Sequence, residues 1–332
     1  GWTRRRMNSE PLLDQIVRQI EGAQRILIFS HVRPDGDAVG SALGLMWLLR
    51  ARGKAAELSF EDPVPMTLRF LPGAEEIENR PLDGHDLILA VDGSDAERYG
   101  AHFSAARVSG VLVICIDHHK TNTRFAALNW VDGRYAATAE MLYHLARHAG
   151  WSIDERAAHC LATGCVTDTN AFSTGHTTPE VLETVADLTR HGAALSTIIY
   201  YTMHLRTQAD AMLWGRVLST LRVERGVAWA LNRLADRQEV GAQEEDGGGL
   251  VTFLVDIIGV NVAILFNEVD GQTTRLSMRS AGGYDVSNLA LAFGGGGHAQ
   301  AAGATLNLPL EEAVARVIPQ AAAIARASTP AH

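Results

Sequence analysis

Seven residues, His31-Val-Arg-Pro-Asp35-Gly-Asp37, set an imidazole and two carboxylates directly after the apolar stretch Ile26-Leu-Ile-Phe29. A short continuous apolar run reads as a buried strand. Hard ligands at the end of such a strand point to metal chemistry, since open α/β sheets place their ligands in the turn from strand to helix. A polar turn with a capping aspartate is the competing reading, and Asp35 alone would take it. Gly36 and Gly40 are expected to loosen the backbone before a helix from Ala38 to Arg50, with Leu43, Met46, Trp47 and Leu49 on its inner side.

Two further apolar runs end in the same way. Leu87-Ile-Leu-Ala-Val91 leads into Asp92, and Val111-Leu-Val-Ile-Cys-Ile116 leads into Asp117-His118-His119. In a parallel sheet these strand ends lie on one edge, so residues far apart in sequence converge. Asp168 is a fourth candidate, following the helical pattern Arg156 to Thr163. Asp95 reads as a turn or capping residue. The remaining histidines sit singly on helices or in polar loops, where a solvated or packed histidine is the plainer reading.

The inventory is then His31, Asp35, Asp37, Asp92, His118 and Asp168. Oxygen-rich sites with some imidazole suit Mn2+, and after it Mg2+, better than a structural zinc. Four carboxylates so crowded cannot all stay ionised without cations between them. Two divalent ions about 3.5 to 4 Å apart resolve this, and such pairs serve in-line displacement at phosphorus.

The spacing His31-x-x-x-Asp35-x-Asp37, then Asp92, the triplet Asp117-His118-His119 and Asp168 resembles the DHH phosphoesterase superfamily. Within it the closest likeness is to the nanoRNase group of bifunctional oligoribonucleases and pAp phosphatases, over residues 10 to 325. Near the C-terminus, Leu276-Ser-Met-Arg279-Ser280 and Phe293-Gly294-Gly-Gly-Gly297-His298-Ala-Gln-Ala-Ala-Gly303 resemble the DHHA1 substrate-binding domain. Consecutive glycines leave backbone N–H groups open to a phosphate, and Arg279 and His298 add donors and charge.

This resemblance implies the division of roles. His31, Asp35 and Asp92 would hold one metal, and Asp37, Asp92, His118 and Asp168 the other, with Asp92 as the bridge. His119 would face the scissile phosphate, and Asp117 would fix the histidine pair. Arg279, His298 and the amides of Gly295, Gly296 and Gly297 would grip the far end of the substrate. The implied activity is hydrolysis of very short oligoribonucleotides to mononucleotides and of 3′-phosphoadenosine 5′-phosphate (pAp) to AMP. The family commonly has a glycine after Asp168-Thr169 and often a basic residue nearby. Asn170-Ala-Phe172 stands here instead, which leaves the preferred substrate length open.

The alternatives are weighed on the same residues. A pyrophosphatase would be expected to carry a lysine and arginine cluster in place of the glycine run, and a single-strand exonuclease a further nucleic-acid-binding domain. A phosphodiesterase for cyclic dinucleotides usually brings sensory or membrane segments, whereas linear dinucleotides from signalling pathways stay open as a substrate. A regulator with a relict site would have been expected to lose a carboxylate.

Among 332 residues, 29 are Lys or Arg and 38 are Asp or Glu, for a net charge of −9. The lack of a basic block beyond Arg4-Arg5-Arg6 argues against tracking long nucleic acid. No segment has the apolar length of a membrane span or the look of a signal peptide. Cys115, Cys160 and Cys165 are odd in number and lack CxxC spacing, which suits a reducing cytoplasm. A homodimer stays open, because helix faces that could pair subunits look like ordinary core faces.

The fold class expected is α/β. A parallel-sheet DHH catalytic domain (1–193) leads through a helical connector (194–224) to a smaller α/β DHHA1 domain (225–332). Strands are expected at Val227–Leu231, Asn261–Phe266 and Arg275–Arg279, a mobile loop at Gly241–Gly249, and a closing helix at Leu310–Arg326.

Overall fold

The structure, a computed structural model, describes residues 2–242 and 249–326, without the side chains of 2–9, 107–108 and 298. The expected loop falls largely on 243–248, outside the described residues. The chain divides into two compact units, Gly1–Leu205 and Arg206–His332.

In the first unit, α1 (Trp2–Gly22) precedes β1 (Arg25–Phe29), α2 (Gly36–Arg50), β2 (Ala55–Ser59), β3 (Leu87–Val91), α3 (Gly100–Ser109) and β4 (Leu112–Asp117). Then come β5 (Leu128–Val131), α4 (Thr138–Ala149), α5 (Glu155–Asp168), α6 (Pro179–Arg190) and α7 (Leu195–Ile199), which runs into a π-helical turn, Tyr200–His204. The strands form a parallel sheet in the order β2-β1-β3-β4-β5. Because the central strands are covered on both faces, they are apolar without interruption. Ile26, Ile28, Leu89 and Ile114 face the large core built with α1, α2, α4 and α5, while Leu27, Phe29, Ile88 and Val113 face Tyr99, Phe103 and Ala106.

The chain goes from β1 to β2 on one side and then crosses to β3 on the other. The strand order therefore reverses between β1 and β3, and a crevice opens at the carboxyl ends of strands flanking such a point. His31 follows β1 and Asp92 follows β3, so the opening motif lies at this switch point.

The second unit holds α8 (Gln208–Ser219), β6 (Arg222–Glu224), β7 (Val227–Asn232), α9 (Leu234–Val240), α10 (Leu250–Val255), β8 (Val262–Asp270) and β9 (Thr273–Ser280). It continues with α11 (Ser287–Ala292), β10 (Gly296–His298), β11 (Ala301–Leu306) and α12 (Leu310–Arg326). Its sheet runs β10-β11-β9-β8-β7-β6, with only β7 and β8 parallel. Helix α12 packs Ala313, Val317 and Ala321 against Val227, Ile264 and Met278, and Leu213 and Val217 of α8 pack with Ala228 and Leu265 on the other face.

Three expectations change at this level. The 194–224 stretch is not one connecting element: α7 belongs to the first unit, while α8 and β6 are built into the second. Helix α2 begins at Gly36, and Gly36 and Gly40 are helical residues buried against α5 rather than loosening a turn. The glycine run is not an open loop, because Gly296–His298 pairs with Ala301–Gly303 as an antiparallel hairpin.

Candidate metal centre

Asp35 is the N-cap of α2 and accepts the N–H groups of Asp37 and Ala38 through Oδ1, at 3.1 and 3.0 Å. The capping reading and the ligand reading hold together, since Oδ2 turns to His31 Nε2 at 3.7 Å. His31 is buried; its Nδ1–H donates to the Val32 carbonyl at 2.9 Å, which leaves Nε2 facing Asp35 and, at 3.6 Å, Asp92. Burial opposes a charge on this ring, but hydrogen bonding to Asp35 and Asp92 outweighs it and raises its pKa to about 10.

Asp92 follows β3 with φ 60°, the left-handed region that an aspartate tolerates better than most residues. Its amide donates to Ile116 O at 3.0 Å, which ties the turn to β4. Asp37 is fully buried and accepts from Thr138 N–H at 2.6 Å, Ala139 N–H at 3.0 Å and the Ser41 hydroxyl at 2.9 Å. Even so, burial and then the charges of Asp92 and Asp168 push its pKa well up.

His118, at the end of β4, lies opposite. Its Nδ1 meets the Tyr135 carbonyl at 3.4 Å, and its Nε2 reaches Asp168 at 3.1 Å, Asp92 at 3.7 Å and Asp37 at 4.0 Å. Asp168 is the last residue of α5, not a loop residue beyond a shorter helix, and burial raises its carboxyl to about 6 against the lowering effect of His118.

Ligand atoms within 4.8 Å of one another form three groups among the described residues: His31, Asp35 and Asp92; Asp37, His118 and Asp168; and Asp92, His118 and His119. Asp92 and His118 each belong to two of them. Carboxylate oxygens and imidazoles fit a hard or borderline divalent cation; burial first, and then neighbouring carboxylates, raise the pKa of Asp37, while against its burial, hydrogen bonding to His31 and the charges of the imidazoles lower that of Asp92. The residues therefore fit a metal.

Residues 25–165 match the DHH family, N-terminal domain, and residues 230–326 match the DHHA1 domain. A Thermus thermophilus protein named bifunctional oligoribonuclease and PAP phosphatase NrnA is 37% identical, with 92% of this chain and 91% of that one covered. The Bacillus subtilis protein of the same name is 28% identical, covering 88% and 92%. A solved exopolyphosphatase-related protein from Bacteroides fragilis superposes with a TM-score of 0.88 at 27% identity, over 95% of this chain and 96% of that one.

The chain belongs to the DHH/DHHA1 family. It is a metal-dependent phosphoesterase, a hydrolase of phosphoester bonds.

The triplet that gives the DHH family its name is held by a residue the sequence reading passed over. Asp117 is fully buried; its Oδ1 meets His119 Nδ1 at 2.7 Å and its Oδ2 accepts the Asn122 amide at 2.6 Å. Asn122 also donates to Gly93 O at 2.9 Å, linking the turn after β3 to the turn after β4. The signal was a polar amide three residues beyond the histidine pair. Thr138 was missed as well: its hydroxyl donates to Asp92 Oδ1 at 2.9 Å. Asp95 caps the short helical turn Ala96–Tyr99 by accepting Arg98 N–H at 3.0 Å, as expected of it.

In the DHHA1 domain, Arg279 is half-buried, donates to Met278 O at 3.0 Å, and has its pKa lowered by burial. Gly294, with φ 74°, ends α11, and the Gly295 amide donates to Ala290 O at 2.8 Å. That amide closes the helix and is not open to a phosphate. A Cβ at Gly295 would lie 2.0 Å from Gly303 O, and one at Gly297 2.5 Å from Ala301 O, so these glycines admit β11 at close range. The backbone of His298 pairs with Ala301, and its side chain lies outside the described residues.

Proposed function

We propose that this phosphoesterase cleaves very short oligoribonucleotides to mononucleotides and removes the 3′-phosphate of pAp, with two divalent cations, Mn2+ before Mg2+. The observation that carries the reading is that Asp92 groups with His31 and Asp35 on one side and with His118 and His119 on the other, while His118 also groups with Asp37 and Asp168. His31, Asp35 and Asp92 hold one cation, and Asp37, Asp92, His118 and Asp168 the other. Bound there, the cations supply an activated water at neutral pH and neutralise charge on the phosphoryl oxygens. His119, oriented by Asp117, binds and orients the scissile phosphate, and Arg279 with the Gly296 and Gly297 backbone supplies phosphate binding from the DHHA1 domain.

The names of the Thermus and Bacillus relatives, oligoribonuclease and PAP phosphatase, support the substrate class. The test is a Mn2+-supplemented assay across RNAs from dinucleotides to long oligomers, with pAp and pyrophosphate alongside. Dinucleotides and pAp are expected to turn over fastest. Faster turnover of pyrophosphate or of long RNA would overturn the assignment.

A further inference from the structure

The segment Tyr135–Ala139, which leads into α4, touches three of the candidate ligands while supplying none. Its N-cap, Ala137, is extended (φ −153°, ψ 155°) and has no side chain to bond the first-turn amides. Serine or aspartate at an N-cap would accept such an amide. Ala137 leaves them unclaimed, and the N–H groups of Thr138 and Ala139 go to Asp37, about a hundred residues earlier in the chain. Asp37 thus caps α4 from a distance, and the positive end of the helix faces its carboxylate. The Thr138 hydroxyl holds Asp92, and one residue before Ala136 the Tyr135 carbonyl meets His118.

What fixes this segment is Glu140. Only 2% exposed, it reaches back to accept Ala136 N–H through Oε2 at 2.7 Å. The contact resembles the return half of a capping box, shifted one residue outward and lacking the hydroxyl half. A buried carboxyl is costly to place, and among the described residues no hydrogen bond or ion pair joins this one to a candidate ligand, His118 acting on it through its charge. Its Oε2 thus holds one of the two amides, Ala136 and Ala137, between the carbonyl that meets His118 and the amides that hold Asp37, and its Oε1 lies 3.9 Å from His144 Nε2.

We propose that Glu140 is a positioning residue of the metal centre. By holding the Ala136 amide it sets the Tyr135–Ala139 segment, which orients His118, Asp37 and Asp92 for the cations. This rests on the metal reading above.

The test compares full-length wild type with Glu140→Ala, Glu140→Met and Glu140→Gln. Mn2+ binding is read by calorimetry, and folding by far-UV circular dichroism of the metal-free proteins. Glutamine keeps an oxygen for the Ala136 amide, whereas methionine keeps the volume and loses the acceptor. The alanine and methionine variants are expected to bind Mn2+ about 10-fold or more weakly, the range seen when groups that orient ligands are removed. The glutamine variant is expected to stay within about threefold of wild type. KM for substrate at saturating Mn2+ should barely move in any of them.

If the alanine variant does not fold, the methionine variant carries the comparison. A folded variant without the acceptor but with wild-type affinity would overturn the proposal, as would equal losses in the glutamine and methionine variants. Wild type that binds no divalent cation would instead overturn the metal reading, and this inference with it.

Discussion

Asp92 is shared by two of the three ligand groups among the described residues, and its backbone already sits in the left-handed region with its carboxylate facing His31 and His118. Asp92→Ala is predicted to reduce turnover of dinucleotides and pAp alike, by about a thousandfold or more, because under the proposed arrangement both cations would lose a ligand. Arg279→Ala is predicted mainly to raise KM, since it removes binding that ground state and transition state share. Equal kcat losses in the two variants would contradict that division. The candidate ligands His31, Asp92 and His118 could be read from sequence because each follows an apolar strand, and Asp35 and Asp37 come just after the first of them, whereas Asp168 closes helix α5 and stood out only beside the others. Asn122, Thr138 and Glu140 could not, since an amide, a hydroxyl and a helical glutamate have many ordinary uses. Glu140 also carries a pH signature. Burial pushes its pKa from 4.5 up to about 7. The folded protein then holds a proton that the unfolded chain has already released, so this carboxyl costs stability increasingly as pH rises between those values. In metal-free protein, Glu140→Gln should therefore gain in melting temperature relative to wild type between about pH 5 and pH 8. A gap that stays constant across that range would refute the assignment of cost to this group.

At the level of elements, the close crossing of α2 and α5 brings Asp37 and Asp168 to the same site. Gly36, Gly40 and Gly44 recur every four residues along α2, and a Cβ on them would meet Thr167 at 2.3 Å, Cys160 O at 2.5 Å and Leu161 at 2.6 Å of α5. Gly164 answers from α5, where a Cβ would lie 2.4 Å from Asp37 Oδ1. Small residues at this spacing let two helix backbones approach, whatever their local cost in helix propensity. Gly40→Ala meets a backbone carbonyl, which cannot swing away, so it is predicted to destabilise by about 1–3 kcal/mol, read as a lower urea midpoint at unchanged m-value. A midpoint within error of wild type would show that the helices can part at no cost. This spacing stood in the sequence, but a glycine beside a metal motif reads more readily as a turn residue. Strands β1, β3 and β4 were plain from their apolar runs, whereas β2 (Ala-Ala-Glu-Leu-Ser) and β5 sit at the edges of the sheet with mixed composition. The hairpin of β10 and β11 was hidden for a different reason. Its glycines serve close backbone approach, and strand propensity is carried by side chains that glycine lacks.

For the whole molecule, two separately cored units explain why the two family matches, at residues 25–165 and 230–326, fall apart along the chain. The net charge of −9 bears on what such a protein can hold. Two bound dications would bring it only to −5, the arithmetic being −9 + 4, so the field of the protein as a whole repels RNA. Attraction must come from the centre itself and from single groups such as Arg279, which reach few phosphates at a time. Counterion release makes this measurable, because the slope of log affinity against log salt is about −0.7 for each single-strand phosphate neutralised. A dinucleotide or pAp that engages one or two phosphates should therefore show a slope no steeper than about −1.4 at constant saturating Mn2+, and lengthening the RNA should not steepen it. An enzyme that tracked a strand would add contacts with length and grow steeper in proportion. The measurement is kcat/KM against potassium chloride for RNAs of two to about twelve nucleotides. A slope that rises with length would place a basic path on this molecule and move the assignment from short fragments to long ones.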